Sequence, residues 1–338
     1  MKVAVLLSGG VDSSVAALLL QDQGYDVIGL TMFNWDTNVG QKAAQAAAQL
    51  NLEHHIVDLK DIFKTKIIDY FCHAYEIGET PNPCVECNKF IKFGTLLDLA
   101  RDFGCSRVAT GHYAQIEFNS RSNRYLLKKG ADPAKDQSYF LYGLNQGQLA
   151  HIIFPLGRLT KDEVRKIARQ RGIPAAESPD SQEICFISGD YGDFIKERVK
   201  YQSGEVVDAD NNIIGTHRGL PFYTIGQRRG LGISSARPLY VLGLDMEHNR
   251  LLVGGEEQLY RKSLYAGKCN FIYSQNIESP LKAEAKIRYR AKLADATVWA
   301  QGQNRIKVDF AQPQRAITRG QSIVLYQGDY VLGGGIIE

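Results

Sequence analysis

Nothing in this 338-residue sequence is apolar for long enough to cross a membrane as a helix, because no run approaches the roughly 18 residues that a span requires. The N-terminus enters a strand at once, without the charged-then-apolar pattern of a secretory signal. Cysteine is scarce too. Cys72, Cys84, Cys87, Cys105, Cys185 and Cys269 are too few and too scattered for a secreted disulfide scaffold, so the expected compartment is the cytoplasm and any cysteine chemistry should be local. Neither sign of charge dominates: the net value is +3, with 20 Lys and Arg against 23 Asp and Glu in residues 1–195, and 20 against 14 in 196–338. The resulting −3 and +6 suit a polyanionic partner at the C-terminal end and are equally compatible with a solvated surface. Internal repeats and low-complexity tracts are also missing. What remains is 44% hydrophobic and 23% charged, enough for a full core and two or three domains.

The first 110 residues alternate short apolar runs with helical patterns, which predicts an α/β fold with a doubly wound parallel sheet. Val3–Leu7, Val27–Leu30, His55–Val57 and Val108–Thr110 read as buried strands, with Gly24 and Gly104 placed to end helices. Gln115–Phe118 and Tyr125–Lys128 flank a polar turn and predict a hairpin, and Thr160 before Lys161-Asp162-Glu163 predicts a capped helix ending near Gly172 and Pro174. From Tyr201 the helical period gives way to short β runs. Residues 282–290 alternate Lys, Glu and Arg with Ala, Ile and Tyr, which predicts one strand with a basic face. Ala296–Ala300 and Arg305–Phe310 bracket Gly302-Gln303-Asn304 as another hairpin. The expected division is a catalytic domain over 1–200, a β-rich central domain over 201–265 and a C-terminal β-barrel over 266–338.

Ser8-Gly9-Gly10-Val11-Asp12-Ser13-Ser14 lies directly after a buried strand and before the apolar helix that starts at Val15. Glycines let backbone amides approach phosphate oxygens, hydroxyls add donors, and the helix N-terminus presents partial positive charge to an anion. No lysine follows the glycines, so this is not the Walker loop. A second constellation, Pro81-Asn82-Pro83-Cys84-Val85-Glu86-Cys87-Asn88-Lys89, sets two cysteines three apart at the start of a basic helix. A helix N-terminus with Lys89 nearby should lower the thiol pKa and favour the nucleophile. A structural zinc half-site, lacking its second CxxC pair, and two incidental buried thiols are the competing readings. Cys185, between Ile184 and Phe186, reads in isolation as core.

The phosphate loop resembles the signature of the N-type ATP pyrophosphatases, whose HUP-like domains cleave ATP to AMP and pyrophosphate while adenylating a substrate oxygen. Together with Thr80–Phe93, Ser178–Ile187, Gly219–Ile233, Thr110–Ala114, Lys135–Leu141 and Gly333–Ile337, it closely resembles the tRNA-specific 2-thiouridylase (MnmA) family, nearly end to end. The resemblance implies thiolation of the wobble uridine U34 of tRNA: ATP adenylates O2, then sulfur carried by the protein attacks C2 and expels AMP. It implies ATP contacts at Leu6, Leu7, Ser8, Gly9, Gly10, Val11, Asp12, Ser13, Ser14, Met32 and Gly111, with Asp12 as the Mg2+ partner. It also implies a persulfide on Cys185, a partner thiol on Cys87 that closes a transient disulfide with it, and a role for His112 in activity. The tRNA contacts implied are Asn82, Pro83, Cys84, Lys135, Asp136, Gln137 and Gln327, and Arg288 and Tyr289 on the alternating basic strand are candidates for RNA contact in the C-terminal domain, with Arg228 and Arg229 as further ones. A cysteine desulfurase or relay protein would supply sulfur.

One departure matters. Many members of the family have Asp after Asn-Pro, where this chain has Cys84, so the role of that carboxylate is unassigned. Cys84, Cys87 and Cys185 together are a ligand set for an iron–sulfur cluster with one iron open to sulfide. Persulfide relay and cluster-bound sulfide therefore both stand as expectations. The alternatives outside this family are another adenylating enzyme, such as an amide-forming synthetase, and a nucleotide-regulated RNA-binding module with a structural cysteine pair.

Overall fold

The apolar runs of the first domain become one parallel sheet in the computed structural model, which describes residues 1–33, 37–177, 184–187, 189, 191–275, 277, 279–302 and 304–338. Its strands are β1 (Lys2–Leu6), β2 (Asp26–Phe33), β3 (Glu53–Asp58), β4 (Arg107–Ala109) and β7 (Ile152–Ile153), in the order β3-β2-β1-β4-β7. Chain order reverses between β1 and β4. In open α/β sheets that switch point opens a crevice at the carboxyl ends of the strands, and Ser8 and Thr110 lie there.

Two helices pin the crevice from one side. α1 (Val11–Asp22) is apolar nearly all round, and Val11, Val15 and Leu18 pack against Val164, Ala168 and Ile173 of the helix Lys161–Gln170 and its exit. That second helix starts as its sequence predicts: the Thr160 hydroxyl accepts from the Glu163 amide while the Glu163 carboxylate accepts from Thr160. Gly24, Gly104 and Gly172 end their helices at φ of +81°, +76° and +67°.

The hairpin of β5 (Ala114–Asn119) and β6 (Arg124–Lys129) leaves this domain and joins another sheet. A central four-stranded sheet holds β8 (Gly204–Val207), β9 (Ile213–His217), β10 (Tyr240–Asp245) and β11 (Arg250–Gly254) in the order β10-β11-β8-β9. Six strands then close a barrel: β12 (Tyr260–Phe271), β13 (Leu281–Lys286), β14 (Ala294–Ala300), β15 (Ile306–Arg315), β16 (Ser322–Gln327) and β17 (Tyr330–Ile337). Closure comes from β12, which pairs with both β15 and β17. The hairpin is its appendage, through Tyr330 opposite Lys128 and the Lys129 amide on the Asp329 carbonyl at 2.9 Å.

The fold is therefore the expected α/β sheet followed by β-rich parts, with one local correction. Strand β13 stops at Lys286, and Ile287–Arg290 turn away from the sheet, so Arg288 and Tyr289 are not on the basic strand face. Burial still alternates, with Ala285 and Ile287 in the barrel core, which is why the pattern imitates a longer strand. Gln303 of the expected β14–β15 turn lies outside the described residues.

Candidate active site

The phosphate loop is built from its own hydrogen bonds. Ser13 and Ser14 each donate a hydroxyl to the Gly10 carbonyl, at 3.1 and 3.0 Å, and Ser13 Oγ in turn accepts from the Ser8 amide at 3.2 Å. Those two hydroxyls therefore brace the loop. The donors left for an anion are the first amides of α1, which have no intrahelical acceptor. Gly9 adopts φ +75°, and a Cβ there would stand 2.5 Å from the Lys42 carbonyl carbon, so α2 (Thr37–Gln49) closes the back of the loop. Leu7 is corrected as a contact: its side chain is core, its amide donates to Leu30 and its carbonyl accepts from Thr31. Leu6 and Val11 flank the loop at the strand end and the helix start. Met32, on β2, packs half-buried against the cluster that holds Cys87.

Asp12 faces a partner that the sequence did not announce. Both carboxylate oxygens accept from the Lys161 ammonium at 2.8 Å, and the Tyr113 hydroxyl adds a third bond at 2.8 Å. The lysine missing from the loop itself is thus supplied by the N-terminus of a helix 149 residues on. Its side chain is 9% exposed and that of Asp12 33%. A cation in the first turn of a helix stands at the wrong end of the dipole, and that anomaly was the only sequence sign of it. A magnesium ion at Asp12 would have to share the carboxylate with Lys161.

The end of β4 comes close to the same loop. A Cβ on Gly111 would stand 2.7 Å from the Asp12 carbonyl carbon, so glycine permits this contact. Next to it, His112 is buried, with Nδ1 2.7 Å from the Thr110 hydroxyl and its ring against Phe93 and Phe154 at 5.9 and 5.7 Å. Burial, and then the positive charge of Lys92, hold its pKa well below the ordinary value of 6.5. The ring is neutral at physiological pH.

The same Lys92 also acts on three thiols. Pro83 opens a short helix, Pro83–Glu86, which runs into the wide-turned helix Cys87–Thr95, hydrogen-bonded i to i+5. Cys84 and Cys185 are exposed and Cys87 is buried, and all six cysteines are free. Burial pushes the Cys87 thiol up to about 12, and the protein packed around Cys84 and Cys185 raises them as well, although both keep surface in contact with solvent; Lys92 opposes the rise at all three. The expected helix-lowered thiol is thus overturned, since desolvation outweighs the helix terminus and its cations. Cys87 also feels Cys185 and Cys84 electrostatically, so the three share one neighbourhood. Among the described residues, however, no three His, Cys, Asp or Glu side chains form a metal-binding group. Phe186 anchors the Cys185 segment, with its ring 5.3 Å from Phe71 and 5.5 Å from Phe194. Residues 178–183, the start of that motif, lie outside the described residues.

Of the expected tRNA contacts, several are braces. Asp136 is buried, and its carboxylate accepts from the Gly130 and Ser138 amides and the Ser138 hydroxyl. Gln137 Oε1 accepts from the Tyr113 amide at 3.0 Å, Pro83 is buried, and the Arg288 guanidinium donates to the Arg315 carbonyl at 2.9 Å. Asn82 hydrogen-bonds to Tyr139. Tyr289 stacks 4.5 Å from Phe140 and feels the charges of Asp136 and Lys135, so these residues do converge. Gln327 lies beside Lys282 and Glu284 in a recess of about 310 Å³ on the barrel. Arg228 borders a second hollow, of about 640 Å³, with Arg237 in the central domain. Besides Lys161, sequence reasoning missed Tyr113, whose partner Asp12 is 101 residues away, and Lys92, which an ordinary α-helix would turn away from Cys87.

Comparison with known proteins agrees in extent. Residues 1–189 match the model of the tRNA methyl transferase HUP domain, 192–255 the tRNA methyl transferase PRC-barrel domain, and 261–337 the aminomethyltransferase β-barrel domain. A protein of Syntrophomonas wolfei named tRNA-specific 2-thiouridylase MnmA is 53% identical over 337 residues, covering 100% of both chains. Its namesake from Clostridioides difficile is 46% identical over 100% of this chain and 98% of its own. For one of Caldanaerobacter subterraneus the identity is 48%, over the same shares.

Proposed function

This chain belongs to the tRNA-specific 2-thiouridylase family and makes 2-thiouridine in tRNA in an ATP-dependent reaction, and we propose that it acts on the wobble uridine through a persulfide on Cys185. The observation that carries the residue assignment is the shared neighbourhood of Cys84, Cys87 and Cys185 around Lys92, which also reaches His112 beside the phosphate loop. The family model's description names methyl transfer. Thiols gathered beside an ATP loop suit sulfur transfer instead, in line with the relatives' names.

In this reading the amides of Gly9–Ser13 hold the ATP phosphates, Lys161 neutralises the pyrophosphate end and Asp12 would hold magnesium alongside it. Magnesium arrives with most of its ligands on the nucleotide and needs only one or two carboxylates, which the partly exposed Asp12 fits. When bound, it would screen the phosphate charge. Uridine O2 attacks the α-phosphorus and pyrophosphate leaves. The terminal persulfide sulfur then attacks C2, and the C2–O2 bond breaks to release AMP. Cys87 as thiolate attacks Cys185 Sγ, so the S–S bond breaks, the sulfane sulfur is reduced to the thione and the two cysteines are oxidised to a disulfide. An external thiol reductant restores them, and a cysteine desulfurase or relay protein reloads Cys185. Burial of the neutral His112 ring next to the loop lets it donate or accept one hydrogen bond without adding charge.

A second reading keeps sulfide on an iron–sulfur cluster, favoured by the third thiol, Cys84. As placed, the three cysteines do not form a ligand group, and no step is derived through a cluster. Tyr289, Lys135 and Asn82 are the residues proposed to meet RNA, within domains proposed to divide near residues 200 and 265. The test is incubation with unmodified tRNA, ATP, Mg2+ and either sulfide or a cysteine desulfurase with cysteine, followed by nucleoside mass analysis. The expected product is 2-thiouridine at position 34. Its absence both with and without air overturns the proposal, and iron with visible absorption in anaerobic protein, lost in Cys84→Ala, would move it to the cluster reading.

A further inference from the structure

Lys92 is a half-buried residue, and among the described residues no carboxylate and no hydrogen-bond acceptor is found for its ammonium. Removing a cation from water without a partner is costly, and proteins keep such groups where an anion is to come. Its position follows from the unusual helix. Five residues of an α-helix, at about 100° each, would put Cys87 and Lys92 about 140° apart. In Cys87–Thr95 the bonds run i to i+5, so residues five apart stand one turn apart and share a face. The far end of the same helix is fixed as well, because the Phe93 ring lies 5.9 Å from that of His112. Lys92 therefore stands on the one element that runs from the thiol pair to the edge of the phosphate loop. The electrostatics agree, since Lys92 is the one cation that opposes the burial of Cys84, Cys87 and Cys185 alike and also acts on His112.

We propose that Lys92 is the counter-ion of the transferring sulfur, holding the terminal persulfide sulfur of Cys185 as an anion until it attacks C2 and then facing the Cys87 thiolate. No proton passes to or from Lys92; the charge it faces is created when the persulfide loses its proton to solvent and is consumed when the S–S bond breaks. Lys89, on the same helix, cannot substitute, because its ammonium lies 4.9 Å over the ring of the exposed Phe90. This inference rests on Cys185 as the sulfur carrier.

The test compares Lys92→Met, Lys92→Arg and, as control, Lys89→Met. Three rates are followed in each: pyrophosphate release with tRNA and ATP, single-turnover 2-thiouridine formation from enzyme loaded with labelled sulfur by a cysteine desulfurase, and iodoacetamide alkylation of Cys185. In Lys92→Met thiolation should fall about a hundredfold and alkylation at fixed pH about tenfold, while pyrophosphate release stays within about threefold. Lys92→Arg should recover most of both losses, and the control should match the parent. Thiolation at the parent rate in Lys92→Met overturns the proposal. So does an equal fall of thiolation and pyrophosphate release that arginine does not rescue, which marks a merely structural lysine. Should Lys92→Met fail to fold, Lys92→Gln is read in the same way. Retained 2-thiouridine formation in Cys185→Ser would overturn the carrier reading itself, whatever Lys92 does.

Discussion

The phosphate loop and the thiol cluster solve opposite problems within one crevice. At the loop, the amides between Gly9 and Ser13 face outward, and the side chains of Ser13 and Ser14 are spent on keeping the backbone in place. At the thiols, segments about a hundred residues apart bring side chains into a neighbourhood so desolvated that Cys87 is pushed up to about 12. A partial charge spread over fixed amides costs nothing to hold ready, whereas a thiolate must be made when it is needed. The loop is thus prepared in advance, and the thiols are kept dormant.

The largest test of that division is Cys185→Ser. Thiouridine formation should fall by more than about a thousandfold, measured by nucleoside mass analysis, while pyrophosphate release with tRNA and ATP continues; if both stop together, the two halves are not separable. Next is Lys161→Met, which leaves Asp12 with one neutral partner in place of a cation. Thermal unfolding should show a loss of about 2–3 kcal/mol, low in the range for broken buried pairs because Asp12 is one-third exposed. An Asp12→Leu, Lys161→Met double variant should regain part of that stability and still fail to bind ATP in equilibrium dialysis. Recovered binding would show that the pair serves folding alone.

The smallest effect is at the seam. The folded pKa of His112 lies below its unfolded value near 6.5, so above pH 6.5 both states are neutral and its contribution is fully present. Below pH 6.5 the unfolded chain takes up a proton that the folded one refuses, and stability drops by about 1.4 kcal/mol per pH unit until the folded pKa is reached. Denaturant titrations at pH 6.5 and 5.5 should show that drop in the parent and not in His112→Gln. Equal slopes would mean that the ring is accessible to protons.

Much of the fold was legible because it depends on local pattern: strands by apolar runs, helix ends by Gly24, Gly104 and Gly172, a helix start by Thr160 and Glu163. The phosphate loop was legible for the same reason. The error at Arg288 came from a turn that preserves period-two burial, since Ile287 still enters the core after β13 has ended. At the site, Lys161 and Tyr113 were hidden because their partner, Asp12, is 149 and 101 residues away. The state of the thiols was misread for a different reason, as a sequence displays neighbouring charges and conceals the depth of burial that opposes them.

The β5–β6 hairpin bears on how this protein can be taken apart. A strand of the N-terminal domain pairs onto β17 of the closed barrel, so two units that look separable along the chain share a sheet. A cut between residues 255 and 260 leaves no clean seam: the N-terminal fragment keeps β6 with its pairing edge bare, and the barrel loses the flap over β17. Bare edges recruit other chains. Fragments of this protein should therefore stick to each other or to themselves.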